Sequence, residues 1–202
     1  MMAMRRDLCF EVLAREIGDD IVVPTYSSAF EWLAIRPHPL NYVAVGAMGL
    51  ASSHALGLAL GCPDRRIVVL DGDGSLLMNL GTLVTIAEAA PRNLVHLVCQ
   101  NGTYEANGGH PIPSADAVDF AAMARAAGYA AAERFDDLET FEARLGPFLA
   151  TSGPIFATLR VEPGPRPPRA DYGLIHGAAA REAFRTALRG GPAGALRSDA
   201  GS

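Results

Sequence analysis

Gly72-Asp73-Gly74-Ser75, followed further along by Asn101-Gly102-Thr103, are the stretches that decide how this chain is interpreted. Twenty-six residues, Ser75 to Gln100, separate Gly74 from Asn101. A carboxylate and a carboxamide in two glycine-rich turns offer the oxygen ligands that suit Mg²⁺ or Ca²⁺. The neighbouring glycines let backbone N–H groups approach a phosphate closely. Asp-Gly and Asn-Gly are also ordinary turn formers, so two unrelated turns are the alternative interpretation.

The runs around the two motifs predict a parallel sheet. The predicted strands are Ile21–Val23, Tyr42–Val45, Ile67–Leu70, Leu94–Cys99 and Ile155–Val161. Most of them are continuously apolar, as expected for strands covered on both faces. The predicted helices between them are Met48–Leu60, Leu77–Ala90, Ala117–Ala127 and Leu138–Ala150. The fold class is therefore predicted as α/β, a parallel sheet flanked by helices on both faces.

The order of these elements places both motifs at one edge of the sheet. Ligands of parallel α/β sheets bind beyond the carboxyl ends of the strands. Asp73 follows the strand that ends at Leu70, and Asn101 follows the strand that ends at Cys99. This position supports the metal interpretation independently of the turn chemistry. The long loop Thr103–Ser114 lies beside the predicted metal, and loops of this length are often functional.

Composition excludes several classes of protein. The chain has 202 residues, of which 50% are hydrophobic and 19% are charged, enough for one substantial core. A net charge of -5, with no patch of basic residues, argues against nucleic-acid binding. No apolar run is long enough for a membrane span. The pattern of Met1–Gly18 predicts an amphipathic helix rather than a signal peptide. Three isolated cysteines predict buried thiols and a cytoplasmic protein.

The order strand, Gly-Asp-Gly, helix, strand, Asn-Gly resembles the diphosphate-binding (PP) domain of thiamine-diphosphate-dependent enzymes. Within these enzymes the chain resembles the β subunit of sulfopyruvate decarboxylase and the C-terminal half of phosphonopyruvate decarboxylase. Three stretches carry the resemblance: Gly46–Ser53, Asp71–Asn79 and Asn101–Pro113. It extends from about Val22 to Val161. The family usually has two asparagines at the second ligand site, and here Gln100 replaces the first and leaves Asn101 intact.

The resemblance implies two cofactors, thiamine diphosphate and Mg²⁺, and a set of residues that bind them. The implied metal ligands are Asp73, Asn101 and the backbone carbonyl of Thr103. Met48 would be the apolar wedge that bends the cofactor, and His110 is a candidate substrate contact. The other implied cofactor contacts are Thr25, Ser27, Ser28, Gly46, Ala47, Gly72, Gly74, Ser75 and Tyr104.

Several of these residues also have structural interpretations. Met48 can be a core residue at a helix start, and Thr25 with the serines after it can be a plain helix N-cap. Asp71 is interpreted as fixing the turn, and His54 as a core histidine. Glu31 and Glu88 are interpreted as solvated helix carboxylates.

The resemblance also implies a partner. Thiamine enzymes need a glutamate that protonates the aminopyrimidine, and in this superfamily it lies on a second, pyrimidine-binding (PYR) domain. Only about twenty residues precede the first predicted strand, so we expect a separate PYR-domain α subunit to carry this glutamate, in an α₂β₂ or larger assembly. Together the two subunits would form a decarboxylase, a carbon–carbon lyase, for a 2-oxoacid such as sulfopyruvate or phosphonopyruvate. The cofactor motifs contain no arginine and the chain contains no lysine, so an anion clamp is expected on the partner.

Three other functions share this domain. A carboligase of the acyloin or acetolactate synthase type would begin the same chemistry and differ in its acceptor. The β subunit of a 2-oxoacid:ferredoxin oxidoreductase would need cysteine-bound clusters, which three isolated cysteines disfavour. A non-catalytic cofactor-binding subunit would not need both Asp73 and Asn101.

The predicted organisation has three parts. Residues 1–162 form the diphosphate-binding domain. Residues 163–189 form a proline-rich arm and a C-terminal helix, predicted at Ile175–Leu188, and residues 190–202 form a disordered tail.

Overall fold

The computed structural model describes residues 3–43, 48–164, 175 and 177–190. Its strands are β1 (Ile21–Pro24), β2 (Ile67–Gly72), β3 (Leu94–Gln100), β4 (Thr103–Tyr104), β5 (His110–Pro111), β6 (Ala131–Phe135) and β7 (Ile155–Arg160). Five of them form one sheet in the order β1-β2-β3-β7-β6, and every neighbouring pair is parallel. β4 and β5 form a separate antiparallel pair. The predicted parallel α/β sheet is confirmed.

Helices pack on both faces of this sheet. They are α1 (Arg6–Glu16), α2 (Tyr26–Ile35), α3 (Ala51–Gly61), α4 (Asp73–Leu77), α5 (Gly81–Ala89), α6 (Phe120–Ala127), α7 (Leu138–Leu149) and α8 (Ala178–Arg189), with a 3₁₀ turn at Glu105–Asn107. One hydrophobic cluster joins the sheet to α1, α2 and α7. A second cluster joins the opposite face to α3, α5, α6 and α8.

Strand β2 shows how the central strands serve both clusters. Val68 and Leu70 belong to the first cluster, while Ile67 and Val69 belong to the second. All four side chains are fully buried. Because successive residues of a strand point to opposite faces, a strand covered on both sides must be apolar throughout. This requirement explains the continuous hydrophobic runs of the sequence.

The sequence patterns do not predict α2 or β6. α2 begins one residue after β1 ends, and its first turn contains Ser27 and Ser28, residues that favour caps over helix interiors. β6 is an edge strand that carries Glu133 and Arg134 and buries only part of its length. β6 lacks the run of apolar residues by which the other strands are recognised. α2 is apolar over most of Ala29–Ile35, but a single residue, Thr25, separates it from β1.

The predicted strand at Tyr42–Val45 is not formed at its first two residues. Asn41 instead makes a single parallel bridge with Val22, and Tyr42 follows it without regular structure. Residues 44 and 45 lie outside the described part of the chain. The C-terminal helix is found as α8, whereas residues 165–174 of the predicted arm and 191–202 of the predicted tail lie outside the described residues.

The N-terminal segment is fixed to the carboxyl edge of the sheet. The Met4 N–H donates to the Arg160 carbonyl at 2.9 Å, and the Glu162 N–H donates to the Met4 carbonyl at 2.9 Å. Met4 thereby pairs in parallel with Val161, just beyond β7. Arg6, the first residue of α1, is consequently held at the edge of the sheet where the two predicted motifs lie.

Two further sequence predictions concern the whole chain. None of the helices in the described ranges is both long and apolar enough to cross a membrane. Cys9, Cys62 and Cys99 are free thiols, with the first and last buried and Cys62 half-buried.

The Asn93 side chain ties the turn after α3 to the start of β3, and its loss should destabilise the fold. Its Nδ2 lies 3.2, 3.0 and 2.7 Å from the carbonyl oxygens of Ala59, Cys62 and Arg65. We expect Asn93→Ala to lower the free energy of unfolding by about 1–3 kcal/mol, because it removes the side-chain donor that these carbonyls share. Urea denaturation measures the change. Arg92→Ala, which removes the neighbouring exposed side chain, should change stability by less than about 0.5 kcal/mol. Equal effects of the two substitutions would contradict the role given to Asn93.

Candidate active site

One cleft at the carboxyl edge of the sheet gathers most of the predicted site residues. β2 and β3 are neighbours whose residues Gly72 and Cys99 lie in register, and Asp73 and Asn101 follow directly after these strands. The cleft contains about 400 Å³ of open space. The predicted residues that line it are Thr25, Ser27, Ser28, Met48, Gly72, Asp73, Gly74, Ser75, Asn101, Thr103 and Tyr104. Their individual roles stay predictions.

Asp73 is a buried carboxylate with no cationic side chain in contact with it among the described residues. It is 1% exposed. Its Oδ1 accepts the Gly74 N–H at 2.8 Å, and its Oδ2 accepts the Gly102 N–H at 2.7 Å. Burial raises its pKa to about 6, and these N–H donors only partly oppose the rise. A buried carboxylate compensated by backbone donors alone favours a bound cation.

Asn101 has a defined orientation beside Asp73. Its Oδ1 accepts the Thr103 N–H at 2.9 Å and the Thr103 hydroxyl at 3.1 Å. Its Nδ2 donates to Glu105 Oε2 at 3.0 Å. The amide nitrogen therefore faces a carboxylate, and the amide oxygen, which here accepts from Thr103, is the atom of this side chain that can ligate a metal.

The donor atoms in the cleft fit a hard divalent cation. Within the described part of the chain, no three His, Cys, Asp or Glu side chains are placed to hold a metal. A site here would consist of the Asp73 carboxylate, the Asn101 amide oxygen and a backbone carbonyl. Thr103 can supply that carbonyl, because the Ile112 N–H donates to the Gly102 carbonyl at 3.0 Å, so that Thr103 and Pro111 form a pair that exchanges no backbone hydrogen bonds and the Thr103 carbonyl faces away from β5. Oxygen donors with room for water and phosphate suit Mg²⁺.

The glycine of the Asp-Gly motif is required by a close contact. A Cβ on Gly74 would lie 2.5 Å from Cδ1 of Tyr104. The Tyr104 ring therefore lies directly against the Gly74 backbone, on the wall of the cleft. Two predicted site residues are thus brought into contact by the absence of a side chain at one of them.

Ser75 links this motif to the predicted wedge. Its Oγ accepts the Gly49 N–H at 3.1 Å, and Asn79 Nδ2 donates to the Gly49 carbonyl at 3.1 Å. Gly49 has φ +86°, a conformation that favours glycine. These contacts fix the turn that holds Met48 on the cleft wall.

The opposite wall of the cleft is the junction between β1 and α2. Thr25, Ser27 and Ser28 are all buried there. Thr25 occupies the N-cap position, but its side chain makes no cap hydrogen bond. Tyr26 between them has φ +46°, which is uncommon for a residue other than glycine. Backbone strain of this kind concentrates at functional sites.

The remaining predicted residues lie elsewhere or outside the described residues. His110 is exposed in β5 and is not among the residues that line the cleft, so its contact with substrate stays a prediction. His54 packs edge-on against Tyr42 with ring centroids 5.8 Å apart. It is only half-buried, and its Nδ1 has no hydrogen-bond partner among the described residues, so it does not have the satisfied core position predicted for it. Gly46 and Ala47 lie outside the described residues.

Sequence reasoning missed a buried ionic cluster at the cleft, formed by Arg6, Glu31 and Glu105. Arg6 is 5% exposed. It donates to Glu31 at 2.7 and 2.8 Å and to Glu105 at 2.5 and 3.2 Å. Burial disfavours the charge on Arg6, but the hydrogen bonds to both glutamates raise the pKa of its guanidinium above the ordinary value. The interpretation of Glu31 as a solvated carboxylate is therefore wrong.

No local pattern could have revealed this cluster. Arg6 is 25 residues from Glu31 and 99 residues from Glu105. Gly164 closes the cluster from the other side, since a Cβ there would lie 3.3 Å from Nη2 of Arg6. Only the folded chain brings these segments together.

Comparison with known proteins gives the family. The model of the thiamine pyrophosphate enzyme C-terminal TPP-binding domain matches residues 24–158. This chain belongs to that family, and the resemblance seen in the sequence is confirmed. Arg6 precedes the matched residues.

Two relatives show different chain lengths. The chain is 40% identical over 164 residues to sulfopyruvate decarboxylase subunit beta of Methanothermobacter thermautotrophicus, covering 81% of this chain and 85% of that protein. It is 41% identical over 161 residues to phosphonopyruvate decarboxylase of Streptomyces viridochromogenes, covering 79% of this chain and 40% of that protein. The chain thus corresponds to less than half of the second relative.

The fold is shared with solved structures of the same class. Benzoylformate decarboxylase from Polynucleobacter necessarius superposes with a TM-score of 0.70 at 20% identity, covering 83% of this chain and 35% of that chain. At this identity the likeness concerns the fold.

The raised pKa of Asp73 predicts how the stability of the metal-free chain depends on pH. Between its ordinary pKa of 3.8 and the folded-state pKa of about 6, the folded chain keeps a proton that the unfolded chain has lost. Stability is therefore expected to fall as pH rises through this window, by about 2 kcal/mol. Asp73→Asn removes this contribution. The measurement is the difference in unfolding free energy between wild type and Asp73→Asn from about pH 4 to pH 7, and a difference independent of pH would contradict the assignment.

Gly74→Ala tests the contact with Tyr104. We expect the added methyl group to displace the ring and lower the free energy of unfolding by about 1–3 kcal/mol. Gly81→Ala is the matched control, because a Cβ at Gly81 would meet nothing within 4 Å. Urea denaturation of both variants would disprove the steric argument if Gly74→Ala were as stable as Gly81→Ala.

Proposed function

We propose that this chain is the diphosphate-binding subunit of a 2-oxoacid decarboxylase that uses thiamine diphosphate and Mg²⁺. The observation that carries the proposal is the buried Asp73 carboxylate beside Asn101 and Thr103, at the carboxyl edge of the sheet. Identities near 40% over about four fifths of the chain, to two proteins named as decarboxylases of 2-oxoacids, support it.

In this proposal the chain binds the cofactor and holds its diphosphate end. Asp73, Asn101 and the Thr103 carbonyl would hold Mg²⁺, which would offset the negative charge of the diphosphate. Gly74 and Ser75 contact the diphosphate from one side, and residues 25–28 contact it from the other. Met48 would be the apolar wedge against the bound cofactor. When bound, thiamine diphosphate supplies the electron sink for the loss of CO₂ from a 2-oxoacid.

The proposal assigns the proton-transferring glutamate to a PYR-domain partner subunit. Glu105 is the one glutamate among the described residues that line the cleft. Its carboxylate is occupied by Arg6 and Asn101, so it is not free to protonate a cofactor. The relative named as a beta subunit supports a split enzyme, for which we propose an α₂β₂ or larger assembly.

The proposed substrate is a 2-oxoacid with a terminal sulfonate or phosphonate, as in the two named relatives. Such an anion needs a cationic or backbone clamp. Arg6 lines the cleft, but its guanidinium is already paired with the carboxylates of Glu31 and Glu105. We therefore assign the clamp to the partner. The proposal includes a cytoplasmic location, a compartment in which three free thiols stay reduced.

Asp73→Ala in the complex tests the function. The tagged chain is purified from its host with its partner, and CO₂ and aldehyde are measured with sulfopyruvate and with phosphonopyruvate. We expect Asp73→Ala to lower the activity at least about 100-fold and to abolish Mg²⁺-dependent cofactor binding, because a metal ligand is lost. Asp64→Ala, at an exposed turn residue, is the control.

Two results would contradict the proposal. Unchanged activity of the complex with Asp73→Ala would support a non-catalytic subunit. Turnover of a 2-oxoacid by the single purified chain at about 1–1000 s⁻¹ would remove the need for a partner. Product analysis with an added aldehyde separates decarboxylation from carboligation.

A further inference from the structure

The ionic cluster of Arg6, Glu31 and Glu105 is connected to the candidate metal ligand on one side only. Both glutamates bind the same guanidinium, through contacts of 2.5–3.2 Å. Glu105 alone continues to the ligand, since its Oε2 also accepts the Nδ2 proton of Asn101 at 3.0 Å. Glu31 has no such contact in the described structure.

These contacts decide which atom Asn101 presents to the cleft. A carboxylate accepts hydrogen bonds and cannot donate them, so it selects the amide nitrogen and turns the amide oxygen away from itself. The oxygen then lies against the Thr103 N–H and hydroxyl, at 2.9 and 3.1 Å. Arg6 in turn fixes the Glu105 carboxylate with two of its nitrogens. These contacts link α1 to Asn101, the candidate metal ligand.

The charges of the cluster also favour a dication. One guanidinium faces two carboxylates in the cluster, and Asp73 adds a third carboxylate to the same cleft when it is ionised. The cluster therefore carries an excess of negative charge, and one of its two carboxylates, Glu105, lies directly beside Asn101. In a partly buried site such a charge is weakly screened by solvent, and it attracts a nearby cation.

We propose that Arg6 and Glu105 are positioning residues for the metal, which together orient Asn101 as a ligand, and that Arg6 does so from a segment outside the matched family domain. This inference rests on the proposed metal site. Arg6 acts through Glu105, and Glu105 acts through Asn101. The Arg6–Glu31 pair anchors the guanidinium but does not reach the ligand.

Glu105→Gln and Glu31→Gln are a matched pair that tests this inference. Each substitution removes one carboxylate from the same buried guanidinium and keeps the size of the side chain, so general effects on folding are similar. Substitution of Arg6 is avoided, because it would leave two carboxylates unpaired. In Glu105→Gln the new amide must direct its nitrogen either to Arg6 or to Asn101, and in both cases a donor faces a donor.

The first measurement is the affinity of the full chain for Mn²⁺. It is monitored by electron paramagnetic resonance in the presence of saturating thiamine diphosphate. We expect Glu105→Gln to weaken Mn²⁺ binding at least about tenfold, the usual effect of losing a residue that orients a metal ligand. Glu31→Gln, which leaves the contact with Asn101 in place, should change it less than about twofold. Equal weakening by both variants, or wild-type affinity of Glu105→Gln, would overturn the inference.

Hydrogen exchange in the metal-free chain is the second measurement, and it does not require cofactor binding. The Thr103 N–H donates to Asn101 Oδ1 and reports the orientation of this side chain. We expect faster exchange of this amide in Glu105→Gln and wild-type exchange in Glu31→Gln. The same exchange rate in both variants would overturn the positioning role. If the wild-type chain and its complex bind no Mn²⁺, the proposed function fails, while the exchange data still decide whether Glu105 orients Asn101.

Discussion

A carboxylate buried at the point where two parallel strands end is the constraint on which the site depends. Asp73 cannot reach water, and the described structure gives it two backbone N–H donors rather than a cation. One of these donors, Gly102, belongs to the turn after the neighbouring strand. The hydrogen bond that compensates the buried charge therefore also holds the two motifs together. Stability and ligand geometry arise from the same contact.

The parts predicted from the sequence are those with a local signal. Continuous apolar runs identify β1, β2, β3 and β7, because strands covered on both faces have few polar positions. The glycine-rich turns identify the two candidate metal motifs, and sheet topology then places Asp73 and Asn101 at one edge without further information. The family resemblance assigns Ser27 and Ser28 to the cofactor site, although the helix that contains them has no pattern that predicts it.

The parts missed are those that depend on distant segments. Glu31 has the sequence context of a surface residue, and it is part of a buried pair only because it contacts Arg6 of α1 in the folded chain. β6 lacks a continuous apolar run because it lies at the sheet edge, where part of its length faces solvent. Burial of charged groups requires a partner, and a partner brought by tertiary structure leaves no periodic trace in the sequence.

The attachment of Met4 beside Val161 has a practical consequence for how this domain can be divided. The family match begins at residue 24, and an expression fragment cut at that boundary would omit α1. Such a fragment would retain Glu31 and Glu105 but lose the guanidinium that separates them. Two carboxylates would then face each other beside Asn101. For this protein the folded unit begins upstream of the matched family domain, at the strand-like pairing of Met4 with Val161.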